Sequence, residues 1–149
     1  LIGAAASVSR DLALMEQFML DHRRWLDLTI ERNRVRSVWR DWFSRYDVLL
    51  CPVMPMAAIA HDTALPFMER TTLINGEPRS HLACATWTGL IGVAYLPSTV
   101  IPVGLTRSGL PVGMQVVGPY LEDRTSLAAG RFLASVLGPW QAPPLATEP

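Results

Sequence analysis

Lysine is absent: all 13 basic residues of the 149-residue chain are arginine. An ammonium can be desolvated into a general base or a Schiff-base nucleophile, whereas a guanidinium stays protonated in proteins. Every mechanism that needs a lysine is therefore excluded from these residues. Charge of either sign is also scarce, at 17% of the chain against about 25% in an ordinary soluble domain. The 13 basic and 13 acidic residues cancel, so no net field draws in nucleic acid or an anionic membrane. A surface so poor in charge implies that part of it is covered by other protein.

Other absences narrow the field further. The longest apolar run, Gly89 to Leu105, is broken by Gly92, Pro97, Pro102 and Gly104, which rules out a membrane-spanning helix. The opening "LIGAAASVSR" has no basic stretch ahead of its apolar residues and makes no secretory signal. It starts at leucine instead of methionine, which points to a fragment. Cys51 and Cys84 have neither CxxC spacing nor a matching histidine pattern, so they read as small buried hydrophobes in a reducing, cytoplasmic compartment. His22, His61 and His81 lack zinc-type spacing and read as surface or capping residues. No serine sits in a GxSxG elbow. Gly104, Gly109, Gly113 and Gly118 form no phosphate-binding loop and are expected to serve turns and close strand packing. No metal, cofactor or catalytic residue is implied.

What is present reads as alternating helix and strand, half of it hydrophobic. Residues 11–45 are expected to be helical. Val35, Val38, Trp39, Trp42 and Phe43 fall at i, i+3, i+4, i+7 and i+8 and form one apolar stripe. The arginines of the opposite face, Arg32, Arg34, Arg36, Arg40 and Arg45, are mixed with Asp27, Glu31 and Asp41, as on a solvated surface. "YDVLLCP", Tyr46 to Pro52, has the form of a strand buried on both faces. Val53 to Pro78 is loop-like, with four prolines counted from Pro52 and an Asn75-Gly76 turn signal. So long a connection is expected to lie over a site or an interface.

Arg79 to Gly92 is predicted to be a helix. Ser98 to Gly104 and Val112 to Gly118 are predicted to be an antiparallel pair joined by the Arg107-Ser108-Gly109 turn. Asp123 is the expected N-cap of a last helix that Gly138-Pro139 stops. Residues 139–149 form a Pro-rich tail, expected to be disordered. The order of elements points to an α/β fold, part of a mixed β-sheet layered with helices over residues 1–138, with too few strands to stand alone.

"YDVLLCPVMPMAA" followed by "LPSTVIPVGLTRSGLPVGMQVVGPYLEDRTSLAAGRFL" resembles the carboxy-terminal third of amidase signature enzymes. The resemblance runs from Trp25 to Leu137 and is most specific over Leu96 to Pro119, through Pro97, Pro102, Gly104, Gly109, Leu110, Pro111, Gly113, Gln115 and Gly118. In two places the chain departs from the family pattern: Gly92 and Tyr95 stand where the family has Asn and Gly, and Cys51 stands where it has Thr. The resemblance implies hydrolysis or transfer of amides by a serine nucleophile, a bridging serine, a lysine base and a Gly/Ser-rich oxyanion loop. All of these lie upstream of the matched region, so none can be carried over.

The leading expectation is thus an amidase segment, inactive alone, that supplies core strands and part of a pocket wall for a small amide. Met54, Trp87 and Tyr95 are its expected substrate-binding residues, because they sit at strand ends and junctions. Its expected partner is the rest of the amidase or a second copy of itself, giving a homo-oligomer. Two alternatives are a non-enzymatic interaction module that keeps the fold, and a component of an amidotransferase that works on charged transfer RNA. The second would show salt-dependent RNA binding.

Overall fold

The structure, a computed structural model, describes residues 19–61 and 64–138. The predicted tail at 139–149 and the first part of the predicted helical region, 11–18, lie outside the described residues. The chain divides into two compact units, Leu1–Ser37 and Val38–Pro149, with the dividing point inside the first helix.

That helix, α1, spans His22–Phe43. Asp21 caps it: its Oδ1 accepts from the Arg24 N–H at 2.7 Å, satisfying one of the orphan donors of the first turn. Within the first unit His22 stacks on Trp25 with ring centroids 5.9 Å apart. In the second unit Trp39, Trp42 and Phe43 pack edge-on and tilted against one another, and Trp42 stacks on Tyr46 at 4.4 Å. The expected apolar stripe is only partly used. Trp39 and Phe43 pack against the core, but Val38 is 69% exposed.

The second unit is organised by a three-stranded sheet of β1 (Leu49–Pro52), β4 (Ser98–Leu105) and β5 (Pro111–Val117) in the order β1-β5-β4. Both pairings are antiparallel, so β1 and β4 run the same way on either side of β5. Alternation along β5 sends Val117 to one face and Val116 to the other, and both are fully buried. Val117 joins Cys51, Ile91, Ala94 and Leu96 in the core, with Trp39, Phe43, Leu49 and Trp87 packed around them. Ile91 belongs to α2 (Thr86–Val93).

The other face is covered by α3 (Asp123–Leu137) through close contacts at glycine. A Cβ on Gly130 would come within 3.1 Å of Thr99 Cγ2, and one on Gly118 within 3.3 Å of Ser126 Cβ. The buried Ser126 hydroxyl lies 3.2 Å from Thr99 Oγ1 and donates to the Asp123 carbonyl at 2.9 Å. Helix, sheet, helix is thus the layering, as expected for an α/β fold. Asp123 itself is the first helical residue; Glu122 holds the cap position and the Thr125 hydroxyl donates to its Oε2 at 2.9 Å.

One strand differs from expectation. Leu50 of β1 is 45% exposed; it pairs opposite Val116, and so shares the α3 face of the sheet. α3 lies over β4 and β5, and Leu50 on this face of β1 is left about half exposed.

Gln115 ties the three strands together. Its side chain is 3% exposed, its amide donates to the Pro52 carbonyl of β1 at 2.8 Å, and its carbonyl accepts from the Ser98 hydroxyl of β4 at 3.0 Å. One buried amide thereby satisfies itself on both neighbours. On the edge strand β4 the register shifts between Pro102 and Gly104, which leaves Val103 as the extra residue of a bulge. The β4–β5 turn closes with Thr106 N–H donating to the Leu110 carbonyl at 2.8 Å and with Gly109 at φ +82°.

The loop expected over Val53 to Pro78 contains a second sheet. Strands β2 (Thr71–Ile74) and β3 (Glu77–Ser80) form a hairpin whose turn residues, Asn75 and Gly76, have φ of 54° and 84°. Two positive φ values define the turn that matches strand twist, and Asn-Gly is its preferred pair. The helix expected from Arg79 starts later, because Arg79 and Ser80 are taken by β3. The Ser80 side chain then accepts from Leu82 N–H at 3.4 Å and opens a 3-10 helix over His81–Ala85, ahead of α2.

Candidate functional site

A cleft of about 390 Å³ opens beyond the end of β1. One wall is the segment Met54–His61 that leaves β1; the other is Arg70 and Thr71 at the start of β2 with His81 and Cys84 of the 3-10 helix. Two hydrogen bonds fix the second wall. The Arg70 guanidinium donates from Nε to the Leu65 carbonyl at 2.8 Å, and the His81 backbone N–H donates to the Arg70 carbonyl at 2.9 Å.

The lining is mostly apolar, with Met54, Met56 and Ile59 on the first wall; its polar side chains are His61 on that wall and Arg70, Thr71 and His81 on the other. A 3-10 helix has three residues per turn, so His81 and Cys84 stand one above the other. Their Nδ1 and Sγ atoms are 3.9 Å apart. The same Nδ1 lies 2.9 Å from the hydroxyl of Thr72, a buried residue of β2. Phe67 meets the His81 ring edge-on at 5.0 Å. Both cysteines are free thiols, but only Cys84 lines the cleft. Cys51 is in the core, where burial pushes its thiol pKa above the ordinary value. Among the described residues no three His, Cys, Asp or Glu side chains gather as metal ligands would.

Of the three residues singled out from sequence, Met54 lines the cleft. Trp87 packs against the core cluster. Tyr95 is 54% exposed and sits just past α2 with φ +58°, a left-handed conformation that costs a non-glycine residue about 1–2 kcal/mol. The family pattern has glycine at this position, and the angle gives the physical reason. The sequence reading missed His81 and Cys84 as a pair. Their i, i+3 spacing was the available signal, but it acts only once the segment is known to be a 3-10 helix.

Helices on both faces of a sheet, and a cleft past a strand end, place the chain among α/β proteins that form pockets at such ends. The sequence profile of the amidase family matches residues 3–127, and the chain belongs to that family. It is 40% identical over 134 residues to fatty-acid amide hydrolase 2-A of Danio rerio, covering 89% of this chain and 22% of that protein. To a component of the glutamyl-tRNA(Gln) amidotransferase of Anaeromyxobacter dehalogenans it is 36% identical, covering 76% of this chain and 21% of the relative. A crystal structure of an amidase superposes with a TM-score of 0.68 at 30% identity, over 85% of this chain and 28% of the other. A structure from work on the origins of an s-triazine catabolic enzyme superposes at 0.69 with 21% identity and speaks to the fold alone. The chain thus spans about a fifth of the curated relatives it matches (22% and 21%).

Proposed function

We propose that this chain is the carboxy-terminal part of a cytoplasmic amidase-family hydrolase of amide C–N bonds, supplying core strands and a section of pocket wall and carrying no catalysis alone. The observation that carries the reading is the complete lack of lysine in a member of a family whose resemblance implies a lysine base. In this reading Met54, in the cleft, and Tyr95, on the segment leading into β4, face a small amide substrate, and Trp87 backs that wall from the core. The purified chain is expected to hydrolyse no amide and to take no label from a serine-reactive fluorophosphonate. Stoichiometric labelling of one serine would overturn the proposal.

The partner that fits is the remainder of an amidase polypeptide or, when the chain is alone, a second copy of itself. Leu50, Val100 and Leu105 of the edge strands are 45%, 56% and 64% exposed, and unpaired edges beside apolar side chains recruit other strands. Light scattering is expected to find a dimer or larger; a strict monomer at tens of micromolar would count against this surface. A role on charged transfer RNA has less support, because Arg34 is paired with Glu31 and Arg40 Nε lies 3.6 Å from Asp41.

A further inference from the structure

The two thiols of this chain are both buried, at 5% and 7% exposure, yet their surroundings differ in kind. Cys51 belongs to the apolar core cluster and lies outside the cleft lining, a setting that keeps a thiol neutral and inert. Cys84 lines a cleft large enough for a small molecule, with an imidazole nitrogen 3.9 Å from its sulfur and the Arg70 cation in the same lining. We propose that Cys84 and His81 form a thiol-modification site that takes small disulfides bearing a carboxylate.

The chemistry uses groups already in place. In its Nε2–H tautomer His81 has one lone pair on Nδ1, which accepts from the Thr72 hydroxyl at rest; when that hydroxyl rotates away, the lone pair accepts the Cys84 proton. The imidazolium Nδ1–H so formed then donates to Thr72 Oγ1, 2.9 Å away, which holds the proton off the sulfur. The thiolate attacks one sulfur of the incoming disulfide; the new S–S bond joins Cys84 to that half, the old S–S bond breaks, and the other half leaves as a thiolate. Cys84 is oxidised to the mixed disulfide and the departing half is reduced, so no further oxidant is needed. Arg70, fixed by its bond to the Leu65 carbonyl, attracts the carboxylate. Met54, Met56 and Ile59 receive the apolar body of the ligand.

The test is the reaction of the 149-residue chain with 5,5′-dithiobis(2-nitrobenzoate) at neutral pH, followed by thionitrobenzoate release and peptide mass mapping. One equivalent should be released in a fast phase that maps to Cys84, while Cys51 reacts only after denaturant is added. The wild-type comparison of the two thiols requires no variant to fold. His81→Gln should slow the fast phase by about tenfold or more through loss of the proton acceptor, with circular dichroism confirming the fold. Arg70→Gln should slow this reagent by about threefold and leave neutral 2,2′-dithiodipyridine unaffected. The proposal is overturned if Cys84 is as slow as Cys51, or if His81→Gln reacts at the wild-type rate. Equal behaviour of the two reagents in Arg70→Gln overturns its preference for a carboxylate. None of these readouts depends on the amidase reading.

Discussion

The three-stranded sheet and the β2–β3 hairpin use the same device, an antiparallel pair closed by a turn with left-handed residues, and differ in what stands behind the strands. In the sheet Val116 and Val117 are fully buried on opposite faces, and Gln115 bonds to both neighbouring strands. In the hairpin Leu73 is 66% exposed and every residue of β3 is exposed. A lone two-stranded ribbon is marginal in water, so the hairpin owes its place to a few anchors, chiefly Thr72 against His81 and the backbone bond from His81 to Arg70. Local turn chemistry is enough to shape a hairpin; burial on two faces is what makes a sheet resist change.

The sharpest way to break the contrast is Gln115→Ala. It removes two hydrogen bonds and leaves a void at a buried site, and it should cost about 2–3 kcal/mol, read from the urea midpoint. A loss within error of zero would mean that the side chain does not tie the strands. Next comes Gly113→Val. A Cβ there already meets Val100 Cγ1 at 3.1 Å, so overpacking should cost about 2 kcal/mol. Gly109→Ala meets no atom within 4 Å but is held at φ +82°, and should cost about 1 kcal/mol. If Gly109→Ala proved the more damaging of the two, the turn rather than the packing would govern this sheet.

A smaller effect is confined to alkaline solution. The raised Cys51 pKa means that the folded chain keeps this proton at pH values where the unfolded chain has lost it. The unfolded state then binds fewer protons, and stability falls as pH rises. The contribution is complete below the unfolded thiol's pKa of about 8.5 and disappears as pH climbs through the folded one. Cys51→Ala should flatten this alkaline loss between neutral pH and high pH, and parallel curves for the two proteins would contradict it. The smallest effect belongs to the hairpin, where Leu73→Ser should shift the midpoint by less than about 0.5 kcal/mol; a larger shift would show cover on that side chain.

The same division decided what the sequence revealed. β-branched residues over Ser98 to Gly104, alternation over Val112 to Gly118 and a glycine turn between them are signals that burial amplifies, and the pair formed where they pointed. The hairpin was hidden because its strands are four residues each and β3 reads Glu77-Pro78-Arg79-Ser80, with no apolar alternation to mark it. The Asn75-Gly76 signal was visible, but without strands to flank it, it looked like a turn in a loop. At the cleft, Met54 was legible from its place after a strand. His81 and Cys84 were not, since which residues meet across a helical segment depends on whether that segment has 3.0 or 3.6 residues per turn.

The Gln115 amide also bears on how the chain assembles in time. Its bond to the Ser98 hydroxyl spans 17 residues, whereas its bond to the Pro52 carbonyl spans 63. Closing the longer loop costs more entropy before any contact repays it, and contacts distant in sequence slow folding. The β4–β5 ribbon is therefore the part that can form first and wait, with one half of its central amide already bonded. β1 is expected to dock onto this ribbon late and to leave first, so amide hydrogens on the β1–β5 ladder should exchange sooner than those on β4–β5.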